Sequence, residues 1–176
     1  MPDQGQIALI VPVPFADPLL AAVARRRPDA VRPGVAAHVS LLYPFLPASD
    51  IDAPTLRRLR SFTAGQPPVA LSLDEVERSR GFVALPAPAL APPAKAVRER
   101  WPQLVPYRGR YGASPDPHLT VALLGRTTDD TDDEAESGHL AECARTFLPL
   151  SGTVDQLWLV EFDGAWRVAE TFRFTG

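Results

Sequence analysis

The sequence predicts an α+β fold, and three observations carry that reading. Short apolar, β-branched runs alternate with helix-patterned segments in the first half of the chain. Several of these runs are separated only by short turns, which antiparallel strands allow and parallel strands do not. Asp163-Gly164, set between two apolar runs near the end, is a strong hairpin signal.

Element by element, residues 6–13 form a short apolar run that reads as a buried strand. Asp17 followed by Pro18 offers an N-cap with proline in the first turn, and Leu20, Val23 and Ala24 make one apolar stripe ending near Arg27-Pro28. Residues 37–45 are a second strand, closed by Pro44 and Pro47. Asp52 before Ala53-Pro54 opens a second helix that turns Leu56, Leu59 and Phe62 inward and stops at Gly65. Residues 69–76 and 81–85 are expected to pair as antiparallel strands across a polar turn at 77–80. Residues 92–101 form a third helix, with Val97 and Trp101 on its core face. A loop rich in Tyr, Arg and Gly, residues 106–117, leads into a strand at 118–124. Thr131 with Glu134 reads as a capping box for a helix carrying Leu140, Ala144, Phe147 and Leu148. Residues 152–162 and 166–174 then close the chain as a hairpin. Many of the 20 prolines sit at the edges of these elements and punctuate them.

At 176 residues the chain fits one compact domain or two small lobes folded together. The single cysteine, Cys143, excludes an internal disulfide framework and a cysteine-based zinc site, and reads as buried apolar filler. A net charge of -3 and a pI near 5.6 argue against extended nucleic acid as the partner. No run approaches the roughly 18 apolar residues of a membrane span. The apolar stretch 7–13 lacks the basic flank and cleavage site of a signal peptide. A cytoplasmic monomer is the expectation.

Chemistry is concentrated at two of the three histidines. Ala37-His38-Val39-Ser40-Leu41-Leu42 and Pro117-His118-Leu119-Thr120-Val121-Ala122 each place a hydroxyl two residues after a histidine, inside a predicted strand. The two copies lie 80 residues apart, one in each half of the chain. Residues i and i+2 of a strand project from one face about 6–7 Å apart. His38 and Ser40 therefore share a face, as do His118 and Thr120, while the residues between them point into a core. Imidazole serves as acid or base near neutral pH. Two imidazoles on opposite sides of a phosphorus suit in-line displacement, and the hydroxyls beside them can donate to the charged phosphoryl oxygens. Either tripeptide alone is common; the matched pair carries the information.

On these two segments, extended by Tyr43-Pro44-Phe45 after the first and by Trp101-Pro102 and Pro106-Tyr107-Arg108-Gly109 before the second, the chain resembles the 2H phosphoesterases. The likeness is to their 2'-5' RNA ligase-like or cyclic phosphodiesterase-like branch. It implies a bilobal α+β fold, 1–176, with two antiparallel-rich sheets around a central cleft, a pseudo-two-fold axis and helices outside. It also implies His38 and His118 as the acid–base pair and Ser40 and Thr120 as phosphate donors, with no metal or cofactor. The first motif carries Ser40 where Thr is commoner in the family. Ala122-Leu123-Leu124-Gly125 stands between the second motif and Arg126, where many relatives have an earlier cation.

Tyr43, Tyr107, Arg108 and Tyr111 are the candidate substrate contacts, through stacking on a base or contact with phosphate. Strict alternation puts Tyr43 on the face opposite His38, so it reaches the cleft only if the strand end twists. Arg110 and Arg126 are further candidate cations; Trp101 reads as core. His139, among Asp132, Asp133, Glu134 and Glu136, reads as part of a solvated acidic helix start and not a metal site. The expected activity is a metal-independent phosphoesterase acting on a small nucleotide or RNA end, at a 2',3'-cyclic phosphate or a 2'-5' linkage. Two rivals stand beside it: a nucleotide- or RNA-end-binding module without turnover, and an enzyme recruited to another small metabolite with the same two histidines.

Overall fold

The computed structural model describes residues 3–32, 34–79, 81–124 and 130–176, with backbone only at 130–132. Its plan is one unit used twice. In the first half, strand β1 (Gln6–Pro12) leads through a single 3-10 turn at Pro14–Ala16 into helix α1 (Asp17–Arg26). Strand β2 (His38–Leu42), helix α2 (Ala53–Ala64) and strand β3 (Val69–Leu73) follow. After a short edge strand, β4 (Glu77–Ser79), the order repeats. Strand β5 (Phe82–Pro86) leads through a 3-10 turn at Pro88–Leu90 into α3 (Ala91–Arg100), then β6 (His118–Leu123), α4 (Asp130–Arg145) and β7 (Leu150–Val154). A hairpin of β8 (Gln156–Phe162) and β9 (Trp166–Arg173) completes the chain.

Sequence accounts for the repeat at its start. Val11-Pro12-Val13-Pro14 and Leu85-Pro86-Ala87-Pro88 end β1 and β5 with alternate prolines, which cannot donate to a continuing ladder but fit the opening of a helical turn. The residue between each pair keeps its N–H and uses it. Val13 donates to the Ala37 carbonyl at 2.7 Å, and Ala87 to the Pro117 carbonyl at 2.9 Å, so both strand ends are tied to the residue before a motif histidine.

The strands form two antiparallel sheets. Seven run in the order β4-β5-β6-β2-β1-β8-β9, and β3 pairs with β7 in the second. The halves meet at the centre of the large sheet, where β2 lies beside β6. The helices cross between halves: α1 packs against β6, and α3 against β2. Leu9, Leu41, Leu85, Leu119 and Val121 from the large sheet bury with Leu19, Leu59, Phe62, Val97 and Leu140 from the helices. Trp101 is part of this core, edge-on to Phe45 at 5.1 Å, and buried Cys143 fills it as expected. The opposite face of the large sheet is left for the cleft.

Several local expectations need correction. Residues 69–76 do not pair with 81–85: β3 ends at Leu73 and finds β7, while Glu77–Ser79, read as turn, is the strand that pairs with β5. Arg80 lies outside the described residues. Residues 152–162 are not one strand, because β7 and β8 part at Asp155 and belong to different sheets. The capping box expected of Thr131 lies outside the described side chains; Phe147 and Leu148, expected on this helix, lie beyond its end at Arg145. At α2 the expected cap holds: Asp52 accepts the Thr55 N–H at 2.8 Å. At α1 it does not. Asp17 sits inside the first turn, behind an Ala16 N-cap, and its carboxylate accepts the N–H of Ala37 at 2.7 Å.

That bond fixes the chain entering β2, because Ala37 is fully buried and its N–H has no water to fall back on. Asp17→Ala is therefore expected to lose about 1–3 kcal/mol of stability. Asp17→Asn keeps an acceptor and should lose less. Urea unfolding measures both, and an unchanged Asp17→Ala midpoint would contradict the assignment.

Candidate active site

Val39 faces Leu119 across the ladder between β2 and β6. In an antiparallel pair this register sets His38 opposite Thr120, and Ser40 opposite His118. Directly opposed Cβ atoms stand about 4.5–5.5 Å apart and diagonal ones about 7–8 Å. Two hydroxyls and two imidazoles thus mark four corners, with the histidines on a diagonal. The burial pattern agrees: His38, Ser40, His118 and Thr120 are half-buried, while Val39, Leu41, Leu119 and Val121 are buried on the other face.

Both imidazoles are oriented alike. His38 Nδ1 lies 2.9 Å from the Ala36 carbonyl, and His118 Nδ1 3.0 Å from the Asp116 carbonyl. A carbonyl only accepts, so each Nδ1 carries a hydrogen and each neutral ring has its lone pair on Nε2. Among the described residues no hydrogen bond uses either Nε2. The Phe82 ring packs edge-on against His118 at 5.5 Å. Burial pushes the His38 pKa down; the Ala36 hydrogen bond opposes this and the nearby Arg32 charge adds to it.

The four side chains line a cleft of about 1070 Å³, and so do Tyr43, Tyr107, Arg108 and Tyr111. Tyr43 reaches it because strict alternation breaks. Between Leu9↔Leu42 and Ile10↔Ser40 strand β2 carries one extra residue, Leu41. This bulge buries Leu41 and Leu42 on the same side and turns Tyr43 to the cleft face. The second half has the same device: between Val83↔Ala122 and Ala84↔Thr120 the extra residue is Val121. Leu123, 39% exposed, lines the cleft at the place corresponding to Tyr43.

Tyr43 donates to Gln6 Oε1 at 2.8 Å and lies edge-on to Tyr107 at 5.9 Å and Trp166 at 6.0 Å. Tyr107 and Arg108 both adopt left-handed backbone, φ 51° and 54°, which is uncommon for residues with a side chain. The turn they make lets the Tyr107 N–H bond the Tyr43 carbonyl and brings the phenol beside Ser40. Burial, only partly offset by that Ser40 contact, raises the Tyr107 pKa.

The cations divide unevenly. Arg108 lines the cleft, but its guanidinium is paired with Asp3 at 3.0 Å. Arg110 lies over the ring of Tyr111, 5.5 Å from its centroid. Arg32 lines the cleft and forms no ion pair among the described residues. Sequence reasoning missed Arg32, Phe82 and Trp166, since nothing local marks an arginine before a proline or an aromatic at a strand end as facing a cleft. Arg126 lies outside the described residues. His139 is exposed on α4, and among the described residues no group of three or more His, Cys, Asp or Glu is placed to hold a metal ion.

The His38 environment is testable by proton NMR. Its ring is expected to titrate below the ordinary 6.5, and Arg32→Ala should raise the midpoint by removing a repelling charge. As pH falls through that window the unfolded chain takes up a proton that the folded one refuses, so stability should fall with it. A midpoint at or above 6.5 would contradict the burial of the ring.

Residues 11–166 match the family described as the 2'-5' RNA ligase superfamily. Among solved structures, TT0787 of Thermus thermophilus is 16% identical with a TM-score of 0.65, over 97% of this chain and 98% of that one. Escherichia coli LigT complexed with 3'-AMP is 16% identical with a TM-score of 0.58, over 99% of this chain and 100% of that one. The same protein complexed with phosphate is 19% identical with a TM-score of 0.54, over the same shares. At such identities the likeness is one of fold. No curated protein sequence matches the chain. With the profile matched over most of its length, and both His-x-Ser/Thr strands set on one cleft, the chain belongs to the 2'-5' RNA ligase superfamily, the 2H phosphoesterases.

Proposed function

We propose that the chain is a phosphoesterase that works without a metal on a small nucleotide or RNA-end substrate, a 2',3'-cyclic phosphate or a 2'-5' linkage, and that it works as one bilobal unit. One observation carries the reading. The two His-x-Ser/Thr pairs stand side by side on one cleft, with both Nδ1 atoms tied back and neither Nε2 engaged among the described residues. In hydrolysis of a cyclic phosphate, His38 Nε2 takes a proton from water as the water oxygen bonds to phosphorus. His118 Nε2–H gives its proton to the ribose oxygen as the P–O bond breaks. The lowered His38 pKa supports this order of roles, because a base must be neutral at working pH. Ser40 and Thr120 hydroxyls donate to the non-bridging oxygens, and Arg32 adds positive charge at the cleft wall. The structures of LigT with 3'-AMP and with phosphate favour this substrate class.

His38→Ala and His118→Ala are each expected to lower turnover of a 2',3'-cyclic nucleotide by about 10²–10⁴-fold. Circular dichroism and melting temperature should stay near wild type, and EDTA should leave the rate unchanged. Retained activity in the double variant would sink the reading, and tight binding without product would favour a binding module. Arg32→Ala should raise KM more than it lowers kcat, since its charge attracts substrate and transition state alike. A pure kcat effect would contradict that role.

A further inference from the structure

The two motif histidines are oriented in the same way, yet the chain before them is held by different means. Ahead of His38, the Ala37 N–H is caught by the Asp17 carboxylate of α1 at 2.7 Å. The matching residue ahead of His118 is Pro117, which has no N–H, so a carboxylate on α3 would find nothing to accept there. Helix α3 presents a donor instead. Arg98 Nη1 donates to Ser114 Oγ at 3.2 Å, and Nη2 to the Pro115 carbonyl at 3.0 Å. The next carbonyl along, that of Asp116, is the one that receives the His118 Nδ1–H.

Arg98 holds this position at a cost. Its Nε is buried and makes no hydrogen bond. It forms no ion pair among the described residues, and it is not among the residues that line the cleft. A guanidinium partly withdrawn from water, and aimed with both arms at one segment, restrains that segment. The planar fork suits the task, because two donors in one plane limit both translation and rotation of what they hold.

We propose that Arg98 is a positioning residue: from α3 it fixes residues 114–117 so that the Asp116 carbonyl locks His118 in one tautomer, with Nε2 turned to the cleft. Asp17 does the matching task for His38 through the opposite hydrogen-bond polarity. The proposal rests on His118 being an acid–base residue, and its test separates the two ideas.

In wild type, the Nδ1–H protons of both histidines should be protected enough from exchange to give separate downfield NMR signals at low temperature. In Arg98→Met the His118 signal should be lost while the His38 signal remains. On a 2',3'-cyclic nucleotide, kcat should fall about tenfold to a hundredfold, with KM within about twofold. Added guanidinium ion should restore part of the rate, and Arg98→Lys, with a single donor head in place of the fork, should fall between wild type and Arg98→Met. If Arg98→Met does not fold, the Arg98→Lys signals and rates decide. Retention of the His118 signal in Arg98→Met, loss of both signals together, or a rate that guanidinium does not improve would overturn the proposal. A wild-type chain with no turnover but the predicted signals would contradict the functional reading and leave the anchor standing.

Discussion

The pairing of β2 with β6 at Val39 and Leu119 is the contact on which the rest of the molecule depends. It joins two copies of a strand–helix–strand–helix–strand unit, and it is the step at which two ordinary tripeptides become a site. Shifted by one residue, the same pairing would set histidine against an apolar neighbour and turn one motif into the core. The fold guards the register from both sides. Val39 and Leu119 are fully buried beneath it, and helices from each half cross to pack under the other half's motif strand. Slippage would therefore cost the core as well as the cleft.

From that seam the two halves diverge, and the divergence gives the cleft its polarity. Matching bulges at Leu41 and Val121 turn a following residue outward, but one half presents Tyr43 and the other Leu123. Around Tyr43 gather Tyr107, Trp166 and the charge of Arg32; around Leu123 lie Phe82 and Gly81. Symmetry supplies the matched pair of histidines, and its breaking gives the cleft two unlike ends. The anchors behind the histidines differ for a reason as local as a single proline, since Pro117 cannot donate what Ala37 donates.

What is legible in the sequence is what depends on near neighbours. The i, i+2 spacing of His38 with Ser40 and His118 with Thr120 sets their shared faces, and Asp52 marks the start of α2. What is not legible depends on partners far along the chain. Local pattern pairs residues 69–73 with their nearest strand, whereas the partner that buries Leu71 and Leu73 lies some 80 residues on, in β7. Alternation places Tyr43 on the wrong face because a one-residue bulge has no signature of its own in an all-apolar Leu41-Leu42 run. Asp17 looks like a cap because its true donor, Ala37, is twenty residues away. Arg32 carries no motif at all; only the path of the chain brings it to the cleft wall.

If the two histidines act together, a single tetrahedral anion must sit between their Nε2 atoms on one sheet face. A crystal structure of the chain with orthovanadate tests this most directly. The expected result is the anion in the cleft, with His38 Nε2 and His118 Nε2 in hydrogen-bond contact from opposite sides and the Ser40 and Thr120 hydroxyls donating to it. An anion bound elsewhere, or imidazoles too far apart for one anion to touch both, would contradict it.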